Sequence, residues 1–380
     1  MKIINLSVCV LVKKSPYLIK FLENMKDLAD EIVAVVSPDE DIDTIKLLKK
    51  YKVNIHFYPW VNNFSWSRNK TLEHANGKWI LWLDVDCSIS KDNKQKIKAF
   101  ISKVNNNSTS VLISYYNHKK DDSILVTKNA YLFKNNSGIK FLGSVFEFPS
   151  INLKETEASS IFIDHYAYFS DEQRKNMDYY MKIILNELVQ YSENEKGLYY
   201  FISEHIEGKR WKNALDTSNR FLSKYGSRFF AYTVLNWKAE CLFNLDNTDE
   251  AIKTLEQALK LNPNYPTAYV NIADIYYKIG DKANAKKYYL DVLNIELDKK
   301  NLNQYKLDDL DYIPNLNLGI LELEENGYQE AEKYLIKAHQ LRPKYKRPIL
   351  YLEKLYKAKK QRTNIMFYMK KLENPELIDL

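Results

Sequence analysis

Over the first hundred residues, apolar runs of strand length alternate with amphipathic stretches of helical period, and the connections between them are short. "IINLSVCVLV", "EIVAVVS", "VNIHFYPW" and "GKWILWLDVD" read as strands. Between them, "SPYLIKFLENMKDLA", "DEDIDTIKLLKKY" and "FSWSRNKTLEHAN" read as helices. In the first helix Leu18, Phe21, Leu22 and Met25 share one face, and Ser15-Pro16 marks its start. The second carries acidic residues early and lysines late, the order the helix dipole favours. Gly77 is expected to close the third at its C′ position. Strand–helix–strand order predicts a parallel, doubly wound α/β sheet. In such sheets ligands bind outside the carboxyl ends of the strands. The run Trp79 to Leu83 is apolar on both faces and then meets Asp84 and Asp86. Unpaired carboxylates are costly to bury. This strand is therefore expected to deliver them to the rim of a cleft.

Beyond Asp171 a helical period dominates and a repeat emerges. Ala239 and Ala273 are 34 positions apart, as are Ala251 and Ala285. That is the tetratricopeptide period, in which small residues let paired helices approach. Gly280 falls at a turn between helices, and Pro263 follows a helix end. Residues 249–264 and 266–293 form the clearest copies, 328–343 another, and 210–226 a degenerate first one. Residues 298–314 read as an insertion between copies. The expected domains are an α/β domain over 1–170, a connecting helix over 171–194, repeats over 195–345 and a capping helix over 346–380. Surfaces of this kind hold extended peptides. They also serve as rigid spacers or as a homodimer face.

The net charge of +7 is spread over interspersed acids and bases among 380 residues. It would suit an anionic small molecule as well as nucleic acid and so decides little, but the chain lacks the interleaved aromatic–basic platform of a nucleic-acid binder. Cys9, Cys87 and Cys241 are scattered without a CxxC, which gives neither a disulfide framework nor a zinc site. A reducing compartment is the simplest expectation. The N-terminal apolar stretch reads as a first strand rather than a signal peptide, and no apolar run approaches the ~20 residues that span a bilayer. The expected location is cytoplasmic.

The stretch "NFSWSRNKTLEHANGKWILWLDVD" (63–86) resembles the "DFSAARN…A.G.WILWLDAD" pattern of family-2 glycosyltransferases fused to tetratricopeptide repeats, peptide and bacteriocin glycosyltransferases among them. The resemblance covers residues 3 to about 100 and resumes around 131–168. It implies a GT-A-like nucleotide-sugar fold. By the same resemblance, Asp84 and Asp86 match the DxD motif that holds the metal and the sugar nucleotide. Arg68 matches an arginine close to the nucleotide. Glu147, in "FLGSVFEFP", matches the glutamate of "G.VHE" and is implied as the general base, with Phe146 where that pattern has His. His165 matches the first residue of "HYGY" and is implied to complete the coordination of Mg²⁺ or Mn²⁺ beside Asp86. "VKKSP" (12–16) lacks the acid of "VKNE", and Val36 and Ser37 stand where an aspartate reads the base, with Asp39 and Asp41 nearby.

The implied activity is a metal-dependent, inverting hexosyl transfer from a UDP-sugar to a Ser, Thr or Cys of a peptide or protein. The alternatives are a glycan acceptor, or a catalytically silent fold acting as a peptide-binding scaffold. Each residue also has a plainer structural role. Asp84 and Asp86 would cap a helix. His165 would be a core histidine oriented by Asp164. Glu147 would pair with Arg68 or Lys140, and Arg68 with Glu73 on a helix surface. Cys87 would be a small buried residue. Trp60, Trp66, Trp79 and Trp82 would be mostly core, with Trp60 or Trp66 available to stack on a sugar or base.

Overall fold

The computed structural model describes residues 4–103, 107–119, 122–145, 147–166, 183, 195–226, 230–297 and 304–359. It divides into two compact units, an α/β unit of Met1–Gly197 with Asp298–Gln304 and a helical unit of Leu198–Leu297 with Tyr305–Leu380. In the first, the order is β1 (Leu6–Val12), α1 (Leu18–Met25), β2 (Glu31–Val36), α2 (Ile42–Lys50), β3 (Asn54–Phe57), α3 (Phe64–Glu73), β4 (Trp79–Trp82), β5 (Cys87–Ser88), α4 (Lys91–Lys103) and β6 (Ser110–His118). β7 (Ile124–Lys134), β8 (Phe141–Leu142), β9 (Phe148–Pro149) and β10 (Thr156–His165) follow.

The main sheet runs β3-β2-β1-β4-β7-β6-β10-β5. β1 has β2 and β4 as parallel neighbours. The chain therefore leaves β1 on one side and returns on the other, which makes the carboxyl ends of β1 and β4 a topological switch point. The parallel order expected from the first four strands holds for β1 to β4, and beyond them the sheet is mixed. β7 is antiparallel to both β4 and β6, β10 is parallel to β6, and β5 is antiparallel to β10. No helix separates β6 from β7, and a short turn can join only antiparallel neighbours.

Local sequence explains most elements. α1 buries Leu18, Phe21, Leu22 and Met25, the face its pattern predicts. The Asp41 side chain accepts from Thr44 N at the start of α2, and Asn63 accepts from Trp66 N at the start of α3. All four residues of β4 are buried, Trp79 and Leu81 in one apolar cluster and Ile80 and Trp82 in another. Gly77 does not cap α3, which ends at Glu73 with His74 as its cap. A Cβ at Gly77 would meet Ser7 N at 2.5 Å, so glycine is there to let this loop lie against β1. Trp79 and Trp82 are core, but Trp60 is exposed and Trp66 only half-buried. Trp60 sits in the connection after edge strand β3 and packs edge-on against Phe64.

The second unit contains helices Trp211–Tyr225, Ala231–Asn244, Thr248–Leu261, Pro266–Lys278, Lys282–Leu293, Tyr312–Glu324, Tyr328–Leu341 and Lys346–Ala358. Ala239, Ala251, Ala273 and Ala285 are all buried where successive helices meet. Gly280 has φ +86° at its turn, a conformation glycine adopts without strain. The segment read as an insertion ends sooner than expected, because Tyr312–Pro314 already form a helical first turn, where proline is tolerated. Apart from Ile183, the expected connecting helix lies outside the described residues, as does the expected cap beyond residue 359. Among the described residues, no helix is long and apolar enough to cross a membrane.

Asp309 in this unit is 4% exposed, and its Oδ2 makes no hydrogen bond among the described residues. Burial pushes its carboxyl from 3.8 up to about 6, against the pull of Lys306 and Thr267. A raised acid binds its proton more tightly in the folded state. Its contribution to stability is present below the unfolded value and is lost as pH climbs from about 4 to about 6. We expect Asp309→Asn to stabilise the protein by about 2 kcal/mol at neutral pH and to change little near pH 4. Chemical denaturation at both pH values checks this, and equal effects at the two would contradict it.

Candidate active site

Leu83 N donates to Cys9 O, which keeps the end of β4 in step with β1. The chain then turns through Asp84–Asp86, closed by a hydrogen bond from Cys87 N to Asp84 O. β5 pairs with β10 so that Cys87 lies opposite His165, and Tyr166 N donates to Asp86 O. These backbone bonds bring Asp86 and His165 together across 79 positions of sequence. His165 Nε2 lies 3.3 Å from Asp86 Oδ1. That oxygen is buried, and its long contact with His165 is an ion pair rather than a well-formed hydrogen bond. Burial opposes a charge on His165, but Asp86 and then Asp84 outweigh it and hold the imidazole above its ordinary value.

Asp164 does not orient His165. Neighbours along a strand point to opposite faces, and Asp164 instead meets His118 Nε2 at 2.7 Å. The partner of His165 Nδ1 is Asn117 Oδ1, at 2.8 Å.

Arg68 is not on a helix surface. It is 7% exposed, and Glu73 pairs with Lys70 instead. Its guanidinium carbon lies 3.5 Å from the ring centroid of Trp82, with Phe141 and Tyr131 beyond. Arg68 Nη2 is 3.5 Å from Asp84 Oδ1 and forms an ion pair with Glu147 Oε1. Nε and Nη1 make no hydrogen bond among the described residues. Burial works against the Arg68 charge, but Glu147 and Asp84 restore it.

Glu147 reaches Arg68 because the β8–β9 ribbon is tied to α3. Asn69 exchanges hydrogen bonds with both backbone groups of Phe141, and Ser65 Oγ donates to Gly143 O. Gly143 has φ +93°, which this turn needs. Burial raises the Glu147 carboxyl, and Arg68 only partly offsets it. Arg68, not Lys140, is its ion-pair partner among the described residues. Phe146 lies outside the described residues. At the end of β2, Asp41 is occupied in capping α2 and Asp39 accepts from Ser37 Oγ.

Asp86, Cys87 and His165 each offer a ligand atom within 4.8 Å of the others. The Cys87 thiol sits in the apolar core, where burial, then Asp84 and Asp86, push it well up. The carboxylate and imidazole therefore form the donor pair that fits a divalent cation, and the unbonded Asp86 Oδ1 is the oxygen it would find. Asn117, Trp82 and Tyr131 complete the arrangement without having been read as site residues. Asn117 carried a usable signal, an amide inside the apolar strand "SVLISYYNH".

Residues 7–172 match the family model described as Glycosyl transferase family 2. This segment is a family 2 glycosyltransferase domain. Residues 242–280 and 266–299 match models described as TPR repeat and Tetratricopeptide repeat. The chain is 28% identical over 219 residues to the SPbeta prophage-derived glycosyltransferase SunS of Bacillus subtilis, covering 54% of this chain and 50% of that one. The chain thus spans about half the length of this relative. It is also 30% identical over 168 residues to the TPR repeat-containing protein MJ1428 of Methanocaldococcus jannaschii, covering 42% of this chain and 28% of that one. Among solved structures, one of MamA aligns over 49% of this chain and 96% of that one at 14% identity, with a TM-score of 0.37. The family 2 domain contains all five residues singled out from the sequence: Arg68, Asp84, Asp86, Glu147 and His165.

Proposed function

We propose that the family 2 domain moves a hexose from a UDP-sugar to a Ser, Thr or Cys side chain of a peptide or protein, with inversion. The observation that carries this is the chain Asp84–Arg68–Glu147. One buried guanidinium ties a carboxylate at the end of β4 to a second carboxylate whose affinity for a proton is raised. Among the described residues of this unit, Glu147 is the carboxylic acid shifted in that direction. A base that takes the acceptor's proton needs that property. Asp84, whose side chain is 41% exposed, would meet the donor, with Arg68 paired behind it. Asp86 and His165 would hold Mg²⁺ or Mn²⁺, which when bound offsets the charge of the departing diphosphate. The repeats supply the kind of surface that holds an extended acceptor.

Glu147→Gln keeps the shape of the side chain and removes the proton acceptor. We expect transfer about 10²-fold slower, with donor affinity within about threefold of the parent. UDP release by the full chain, with Mn²⁺, a panel of UDP-sugars and peptide acceptors, measures both. Transfer at the parental rate would remove Glu147 as the base.

A further inference from the structure

We propose that Asn117 is a positioning residue that fixes His165 in the tautomer whose Nε2 lone pair faces Asp86. This deepens the metal-binding part of the proposed function and rests on it.

Asn117 is 6% exposed and lies directly beside His165 in the parallel pairing of β6 with β10. Its Nδ2 donates to Leu125 O at 2.9 Å, to Thr127 Oγ1 at 3.1 Å and to Tyr115 O at 3.3 Å. Two of these acceptors are backbone carbonyls, which cannot donate. Turning the amide over would set its own oxygen against them, so the network assigns the amide one way round. Asn117 Oδ1 therefore faces His165 Nδ1, and an amide oxygen only accepts. Nδ1 must carry the hydrogen whether the ring is neutral or charged. In the neutral ring the lone pair then belongs to Nε2, the nitrogen nearest Asp86. A free neutral imidazole prefers the opposite arrangement, with the hydrogen on Nε2. Asn117 thus reverses the intrinsic preference and turns His165 into a ready ligand, the part that outer partners of metal-bound histidines play. The three bonds from Nδ2 anchor the amide to β7 and to its own strand. The ring is thereby aimed as well as protonated on the required side.

The test uses the full chain with histidines labelled in the ring with nitrogen-15. The metal-free protein is read at alkaline pH, where the ring is neutral, and the His165 signals are identified by their loss in His165→Gln. We expect Nδ1 to carry the hydrogen in the parent. A hydrogen on Nε2 would overturn the proposal without any variant having to fold. Mn²⁺ alone is then titrated by electron paramagnetic resonance into the parent, His165→Gln and Asn117→Leu, a substitution of similar size. We expect Asn117→Leu to weaken Mn²⁺ about 10- to 100-fold and to shift the His165 hydrogen toward Nε2. Unchanged affinity in Asn117→Leu beside lost affinity in His165→Gln overturns the role of Asn117 and leaves the metal reading standing. A parent that binds no Mn²⁺ overturns the metal reading itself, and this proposal with it.

Discussion

Asp86→Ala is expected to lower transfer by at least about 10³-fold and to leave the melting temperature almost unchanged. The two halves of this expectation come from the same observation. Asp86 Oδ1 is buried and makes no hydrogen bond among the described residues. Removing it gives up the ion pair with His165 but also relieves the fold of a buried carboxylate oxygen that has no hydrogen bond among the described residues, so the two effects largely offset. A buried carboxylate oxygen held only by a long ion pair is costly, and a divalent cation would supply the partner it lacks. A divalent cation at a leaving diphosphate contributes several kcal/mol, and each 1.36 kcal/mol is about a factor of ten in rate. Replacing the carboxylate by a methyl group leaves His165 as the other member of the donor pair. Saturating Mn²⁺ should therefore restore little. The measurement is UDP release against Mn²⁺ concentration, with thermal melting alongside. Full turnover at ordinary Mn²⁺ would remove Asp86 from the metal site. A large fall in melting temperature would assign it a structural role instead.

The sequence made the first four strands, the helices between them and the 34-residue repeat legible, because each carries a clean period. It made Asp84 and Asp86 conspicuous because they interrupt a run buried on both faces. The strands β6 and β7 bear no helix between them, so the doubly wound pattern gave no warning that the sheet turns antiparallel there. Arg68 was hardest to place. The buried residues of α3 are Ser65, Ser67, Arg68 and Thr71, a polar set without an apolar stripe. Nothing in a hydropathy pattern distinguishes such a face from a solvated one. The small hydroxyl residues leave room for the guanidinium to lie on Trp82, a contact made only after β4 and α3 have packed. Trp60, read either as core or as a residue available to stack, lies exposed in the loop after edge strand β3.

Arg68→Met is expected to destabilise the protein by about 3–5 kcal/mol at neutral pH, more than any other substitution considered. Methionine retains much of the apolar stem over Trp82, so the loss is chiefly electrostatic. Glu147 is 7% exposed and would remain in the interior without its cation. Breaking a buried pair from one side is far costlier than replacing both members, because the surviving charge has no compensation. Asp84 is 41% exposed and can turn to water, so it adds little to this penalty. Burial already raises the Glu147 carboxyl with Arg68 beside it. Without Arg68 it rises further, and the folded state holds the proton more tightly than the unfolded one does. Stability is then retained at acid pH and lost as pH rises through that folded value. The deficit in Arg68→Met should accordingly shrink on acidification, and Arg68→Met/Glu147→Gln should recover most of it at neutral pH. Denaturant unfolding of the four proteins at two pH values closes this cycle. Additive effects of the two substitutions would mean that the Arg68–Glu147 pair is not what holds the β8–β9 ribbon against α3. The bonds from the Asn69 and Ser65 side chains to the backbone of Phe141 and Gly143 would then suffice on their own.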